Sequence, residues 1–366
     1  MTSRIQSYFQ SHQHSLISRF LLGVLLLGSI AILPACRPAL TDLHAGEIYT
    51  FAVAPTGEYL AIGSVQGVYV YSLSDVQLLW AKRTPDAVES LTFKPDGTQL
   101  MGRLADEADT TLLWRVQDGR QLRKWKLNFS TPQTTPLNWS PNGKNILLER
   151  DADDILLLNV ATNQQYTLAR ESPPGVGTGR HDVSFGNAWS PDGHLLAFGT
   201  YEATIELWDV SRNILTVTLP STKTYFATGL TFDPTGTKLA SNSFAQEGLV
   251  WDIATSTILL ELEDPPASYM EGKDELRYPR YENHELVWSP DDKWLATGTR
   301  SGVIVIWDAA TGKIARFLTG HTAPVLALSF RPDSGTLLSA SQNEIIEWDV
   351  VTGEPRPTLQ QLVTTP

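Results

Sequence analysis

Residues 189–209 read WSPDGHLLAFGTYEATIELWD. Trp189 stands two residues before Pro191, Asp192-Gly193 follow, Leu196 lies in a new apolar run, and the stretch closes on Trp208-Asp209. Proline lacks an N–H and ends a strand ladder. Asp-Gly then supplies a tight turn, because glycine tolerates positive φ. The stretch therefore reads strand, turn, strand, loop, strand. Outward from it the same signal recurs at Pro55, Pro95, Pro141, Pro234, Pro290 and Pro332, and the seven prolines are spaced 40, 46, 50, 43, 56 and 42 residues apart.

Aligned on the proline, position −2 holds Val53, Phe93, Trp139, Trp189, Phe232, Trp288 and Phe330. Position −4 holds Phe51, Leu91, Leu137, Asn187, Leu230, Leu286 and Leu328. A period of two places both positions on one face of a strand. Five residues beyond the proline a second strand carries Leu60, Leu100, Ile146, Leu196, Leu239 and Leu295. In the seventh segment Pro-Asp-Ser-Gly adds a residue, which moves this position to Leu338. Third strands follow at 68–73, 111–116, 155–160, 205–210, 248–253, 303–308 and 344–350, and turns such as Ala310-Thr311-Gly312 lead to a fourth. Self-similarity at about 40–45 residues in this order signals a four-stranded blade. The expected fold is all-β, a seven-bladed β-propeller of antiparallel blades. The fourth strand of the last blade is expected around Pro357–Leu362, with residues 39–46 as an alternative closing strand.

Four third strands end in Trp-Asp: Trp208-Asp209, Trp251-Asp252, Trp307-Asp308 and Trp348-Asp349. The equivalent pairs elsewhere are Tyr71-Ser72, Trp114-Arg115 and Leu158-Asn159. This pattern, from residue 46 to about 360, resembles the WD-repeat β-propeller family. WSPDGHLLAFGT also resembles the blades of Tol-type periplasmic propellers. The resemblance to WD repeats implies a buried set of His, Ser or Thr, Asp and Trp in each blade. The Gly-His that opens such repeats occurs here as Gly320-His321, and the Asp slot six residues before the Trp holds Gln342, Ser301 or Glu202. These blades are therefore expected to lean on apolar packing.

The chain has 366 residues and a formal net charge of −12, which leaves a nucleic-acid partner no electrostatic footprint. Its single cysteine, Cys36, ends Leu33-Pro34-Ala35-Cys36, behind an apolar run from Leu21 to Leu33 and a polar leader with Arg4 and Arg19. That is the layout of a secretory signal, too short for a comfortable permanent span. Leu-x-Ala-Cys resembles the lipobox of bacterial lipoproteins, which implies cleavage before Cys36 and a lipid on its thiol. An uncleaved N-terminal anchor is the alternative. The expected layout is a signal at 1–35, a tether at 36–45 and a propeller at 46–363, held outside the cytoplasm on a bacterial cell envelope.

Antiparallel order puts the Pro turns and the third-to-fourth turns on one end of the ring. The second-to-third loops and the connections between blades lie on the other, and there the insertions fall: 105–110, 130–136, 169–183 and 263–285. The longest carries Tyr269, Met270, Tyr278, Arg280 and Tyr281, residue types enriched at binding hot spots. They are the candidate partner-binding residues. Gly175-Val176-Gly177 with Gly179 lacks the strand and helix of a phosphate-cradling loop. His181-Asp182 and His284-Glu285 lack a recognised metal-ligand spacing, and Asp106, Glu107 and Asp109 lack the pattern of a calcium loop. Residues at the ends of the inner strands are read as mostly Ser, Thr, Ala and Gly. No catalytic residue, metal or cofactor is expected. The expected function is a non-enzymatic, membrane-tethered scaffold for an unidentified protein partner. The alternative is a propeller enzyme, a hydrolase, lyase or quinone-dependent dehydrogenase, with its site at the mouth of the central channel.

Overall fold

In the computed structural model the Ser-Pro-Asp-Gly signal is a hydrogen-bonded turn. Ser190 Oγ donates to Asp192 Oδ1 at 2.6 Å and accepts the Leu195 N–H at 2.8 Å, while Asp192 Oδ1 accepts the His194 N–H at 3.0 Å. Gly193 takes φ 73°. Ser140-Asn142 and Ser289-Asp291 build the same turn in other blades. The structure describes residues 48–105, 110–127, 137–149, 154–169, 183–200, 203–220, 227–243, 248–266, 269, 285–341 and 344–356. The leader, Cys36 and the tether lie outside them. Among the described residues no helix is long and apolar enough to cross a membrane.

The described strands are numbered β1 to β28 in chain order. Blade 1 is Ile48–Val53, Tyr59–Ser64, Gly67–Ser72 and Gln77–Arg83. Blade 2 is Val88–Phe93, Gln99–Leu104, Thr110–Arg115 and Gln121–Lys126. Blade 3 is Asn138–Trp139, Asn145–Glu149, Asp154–Asn159 and Gln164–Ala169. Blade 4 is Val183–Trp189, Leu195–Thr200, Thr204–Asp209 and Ile214–Pro220. Blade 5 is Ala227–Phe232, Lys238–Ser243, Gly248–Asp252 and Thr257–Leu262. Blade 6 is Leu286–Trp288, Trp294–Gly298, Val303–Asp308 and Ile314–Thr319. Blade 7 is Val325–Phe330, Thr336–Ser341, Ile345–Asp349 and Pro355–Arg356. Each blade is a four-stranded antiparallel sheet in sequence order, with its first strand on the central channel and its fourth at the rim.

The core lies between blades. Each of seven apolar clusters joins one blade to the next, and one of them closes the ring: Phe51, Leu60, Ile62 and Tyr71 of blade 1 pack with Leu338, Ala340 and Ile345 of blade 7. Trp208, Trp251, Trp307 and Trp348 are fully buried. Burying a large apolar side chain contributes roughly 1.5–3 kcal/mol. The third and fourth strands slip register at the same place in five blades, beside Tyr71, Trp114, Trp208, Trp251 and Trp307. A bulge there adds twist and re-aims the large ring into the neighbouring interface.

The Asp of each Trp-Asp pair caps the turn to the fourth strand. Asp209 Oδ1 accepts the N–H groups of Ser211 and Arg212, and Asp308 Oδ1 accepts those of Ala310 and Thr311. Asp349 does the same for Val351 and Thr352; the Thr352 N–H, then Arg356, hold its carboxyl down at about 2. Five residues after the Trp position the chain turns left-handed at Val76, Gly119, Asn163, Asn213, Ser256, Gly312 and Gly353. Val76 is the misfit, because a β-branched residue at φ 54° is strained. Val76→Asn is expected to raise stability by about 1 kcal/mol, read as a higher urea midpoint with an unchanged m-value. A lower midpoint would show that the apolar contacts of Val76 outweigh the strain.

Two expectations are corrected. The seventh Pro turn adds no residue: Phe330 pairs with Leu337, five beyond Pro332, and Leu337 pairs with Trp348. The Gly335 and Thr336 N–H groups are both taken by Asp333 Oδ1 at 3.0 Å, which holds Ser334 rather than Gly335 at φ 57°. The last strand also comes earlier than expected, at Pro355–Arg356, pairing with Trp348 and Glu347. Arg356 fixes it there through Asp349 at 2.9 Å and Thr336 Oγ1 at 2.9 Å. Residues 39–46 and 357–362 lie outside the described residues.

Candidate functional site

The strand order sorts the loops as the sequence implied. All seven Pro turns leave one end of the ring, and the four long inserted segments join strand ends on the other. Most residues of those segments lie outside the described residues, including Met270, Tyr278, Arg280 and Tyr281, and so do His181, Asp182 and His284. Tyr269 is described, and it faces back onto the scaffold. Its ring stacks on Phe317 with centroids 4.3 Å apart and planes 17° apart. Its C=O accepts the Ser301 hydroxyl at 2.6 Å, and its N–H donates to the Pro266 C=O at 2.9 Å. Upstream, the Glu263 C=O accepts Trp307 Nε1–H at 2.9 Å, and Glu263 Oε2 accepts the Ile314 N–H at 2.9 Å. The long insert is thus rooted on blade 6 by Glu263 and Tyr269. Tyr269→Ala is expected to leave the fold intact and to speed amide exchange at 263–269 at least tenfold, since one stacked ring and its backbone clasp are loosened. Unchanged exchange there would show that Tyr269 does not hold the root.

The inner strands enclose a channel of about 750 Å3. The sequence reading underestimated its charge. Glu89, Arg103 and Glu285 line it, together with an Asn138–Asn187 side-chain hydrogen bond of 3.0 Å between blades 3 and 4. Glu285 precedes the inner strand of blade 6, and its Oε2 accepts the Leu328 N–H of blade 7 at 2.6 Å. Its C=O accepts Thr297 Oγ1–H at 3.0 Å, and Thr297 Oγ1 accepts Asn242 Nδ2–H of blade 5 at 3.0 Å. One polar chain therefore crosses blades 5, 6 and 7. Burial pushes the Glu285 carboxyl up to about 7, against the opposing pull of the Leu328 N–H. Spacing gave no signal for this role, because an acid just ahead of an inner strand looks like any loop acid. Among the described residues, no group of three or more His, Cys, Asp or Glu side chains could hold a metal ion.

Blade 7 corrects the expectation about its buried polar set. His321 Nε2 lies 2.7 Å from Ser339 Oγ, which accepts Trp348 Nε1–H at 2.7 Å. The acid is Glu344, four residues before the Trp rather than six, with Oε2 3.3 Å from His321 Nδ1. The longer Glu side chain reaches the imidazole from a later point in the turn. In two other blades the indole finds another acceptor, Glu206 for Trp208 and the Glu263 C=O for Trp307, whereas the buried Trp251 Nε1–H has none among the described residues. Burial pulls the His321 pKa down, with Glu344 opposing.

A model of the WD domain, G-beta repeat, matches residues 284–308 and 312–349. The first match covers three strands of blade 6, and the second covers its outer strand and three strands of blade 7. Over 339 residues the chain is 29% identical to Protein tipD of Dictyostelium discoideum, covering 88% of this chain and 50% of that one. It is 28% identical over 145 residues to WD repeat-containing protein VIP3 of Arabidopsis thaliana, covering 39% of this chain and 44% of that one. It is 24% identical over 176 residues to Eukaryotic translation initiation factor 3 subunit I of Drosophila virilis, covering 46% of this chain and 53% of that one. The chain spans about half or less of the length of the first of these relatives. The matched repeats, the relatives and the seven four-stranded sheets together support a WD-repeat β-propeller.

Proposed function

We propose that the chain is a protein-interaction scaffold whose insert-bearing face receives a protein partner. The observation that carries this is the rooting of the longest insert. Tyr269 on Phe317 and Glu263 on Trp307 fix where the insert leaves the ring. Long loops on a rigid frame commonly carry recognition. The relatives support the same reading, since one of them is by name a subunit of a larger assembly. Met270, Tyr278, Arg280 and Tyr281 are the residues proposed to touch the partner.

We further propose that Cys36 carries a lipid and tethers the scaffold outside the cytoplasm. The support is the apolar run Leu21–Leu33 ending at Leu33-Pro34-Ala35-Cys36. The intact protein and a version with residues 270–284 replaced by a short Gly-Ser linker should be cross-linked in cells of origin and compared. Partners recovered with the first and lost with the second support the interaction surface; identical partners overturn it. Mass spectrometry of the mature N-terminus decides the tether. A diacylated Cys36 supports it, and an unmodified chain starting at Met1 overturns it.

A further inference from the structure

The rim of the ring is uneven in charge. The outer strands of blades 3 and 4, QQYTLA and ILTVTLP, carry no charged residue, and that of blade 5 carries Glu261. Arg316 in blade 6 donates to the Val351 C=O, and Arg356 in blade 7 pairs with Asp349 at 2.9 Å. Blades 1 and 2 differ. Lys82 and Arg83 end β4, and Arg120, Arg123, Lys124 and Lys126 fall in or beside β8, with no acid in that strand. All six are exposed. Among the described residues, none of Lys82, Arg83, Arg120, Lys124 and Lys126 forms an ion pair.

Strand alternation gathers three of these cations into one cleft. Trp125 Nε1–H donates to Asn163 Oδ1, and Arg123 Nη2–H donates to the Ala161 C=O, so beyond the bulge Arg123 and Trp125 of β8 face blade 3. Lys124, paired with Leu112, and Lys126 therefore face the other way, toward blade 1, where Leu112 packs. Trp80 of β4 donates to the Val116 C=O of blade 2 at 2.6 Å, so Lys82, two residues on, faces blade 2. Lys82 and the pair Lys124 and Lys126 thus line opposite walls of the cleft where blades 1 and 2 diverge at the rim. β8 is the last strand of its sheet, so among the described residues the backbone groups of its outer edge have no strand partner, and its blade-3 face is pinned at Ala161 and Asn163.

We propose that this cleft docks an extended acidic segment of a partner protein, which adds as a fifth strand to β8 and sets carboxylates on Lys82, Lys124 and Lys126. Charge complementarity selects the occupant, because a chain of net charge −12 concentrates unpaired cations here. A single exposed ion pair contributes little, so recognition needs several together with the main-chain bonds of an added strand. The surface lies on the rim, where β4 and β8 run toward the insert-bearing end, but Lys82, Lys124 and Lys126 belong to strands and not to an insert, so its test does not depend on that reading.

The probe is a labelled ten-residue peptide alternating Glu and Thr, titrated against the protein by fluorescence anisotropy. Saturable binding is expected, weakened at least tenfold in the triple variant Lys82→Gln, Lys124→Gln, Lys126→Gln. Slower amide exchange across 121–126 is expected on saturation. A peptide alternating Lys and Thr should not bind. Equal affinity for the triple variant, or unchanged exchange in β8, overturns the proposal. So does binding to phosphatidylserine vesicles without binding to the acidic peptide, which would make the cleft a membrane contact. Circular dichroism confirms that the triple variant is folded before it is scored.

Discussion

Trp348→Ala is expected to lower the free energy of unfolding by about 3–5 kcal/mol, measured by urea titration. Trp348 is fully buried between blades 6 and 7, packed with Ile304, Ile306, Leu318 and Leu328. Its removal opens a cavity in one of the seven interfaces that hold the ring. Its indole also completes the Ser339–His321–Glu344 set, so truncation leaves the Ser339 hydroxyl with one fewer partner. Trp348→Phe separates the two contributions. It keeps most of the apolar volume and loses the donor, and the expected loss is about 1–3 kcal/mol. If Trp348→Ala lost less than 1 kcal/mol, blade 7 would not be packed into the ring as described.

The second large effect is a stability profile that bends in opposite directions at two groups. Glu285 titrates near 7 in the folded chain instead of near 4.5. Between those values the folded state holds a proton that the unfolded state has released, so stability falls as pH rises from about 4.5 to about 7 and then levels. At about 1.4 kcal/mol per pK unit, the loss above pH 7 is about 3–4 kcal/mol. Glu285→Gln keeps an oxygen for the Leu328 N–H and removes the charge. It is expected to recover most of that loss at pH 8 and to change little at pH 4.5. His321 works the other way. Its folded pKa lies below the ordinary 6.5, so the unfolded state takes up the proton first and stability falls as pH drops below about 6.5. Urea midpoints from pH 4.5 to 8.5 for the parent, Glu285→Gln and His321→Gln read both. An unchanged alkaline limb in Glu285→Gln would show that this carboxyl is not buried against Leu328.

The architecture was legible because the repeat unit is written in local chemistry. Each Pro turn needs a residue that accepts positive φ two positions on, and each inner strand needs a large apolar residue at −2. Seven such signals in phase leave few other folds. The turn in blade 7 misled because Asp333 captures the N–H groups of both Gly335 and Thr336, which forces Ser334 left-handed. That is a three-dimensional competition, invisible in the letters Pro-Asp-Ser-Gly. Glu344 was missed for a related reason: its role depends on side-chain reach, and a fixed spacing of six residues does not encode reach. Two of the channel charges were missed because Arg103 reaches the wall from a second strand and Glu285 from outside any strand, while Glu89 stands in the inner strand of blade 2 and was open to reading. The cationic cleft needed two facts that only the structure supplies, the faces that Trp80 and Trp125 seal. Of the candidate partner-binding residues, Tyr269 belongs to the root of the insert.

The seven-interface ring is tested most directly by an experimental density map of residues 40–366. Seven blades are expected, each with four strands in sequence order, with Pro355–Arg356 on the rim of blade 7 and Leu338, Ala340 and Ile345 packed on Phe51, Leu60 and Tyr71 of blade 1. Six or eight blades, or an open gap between the first and the last, would contradict it.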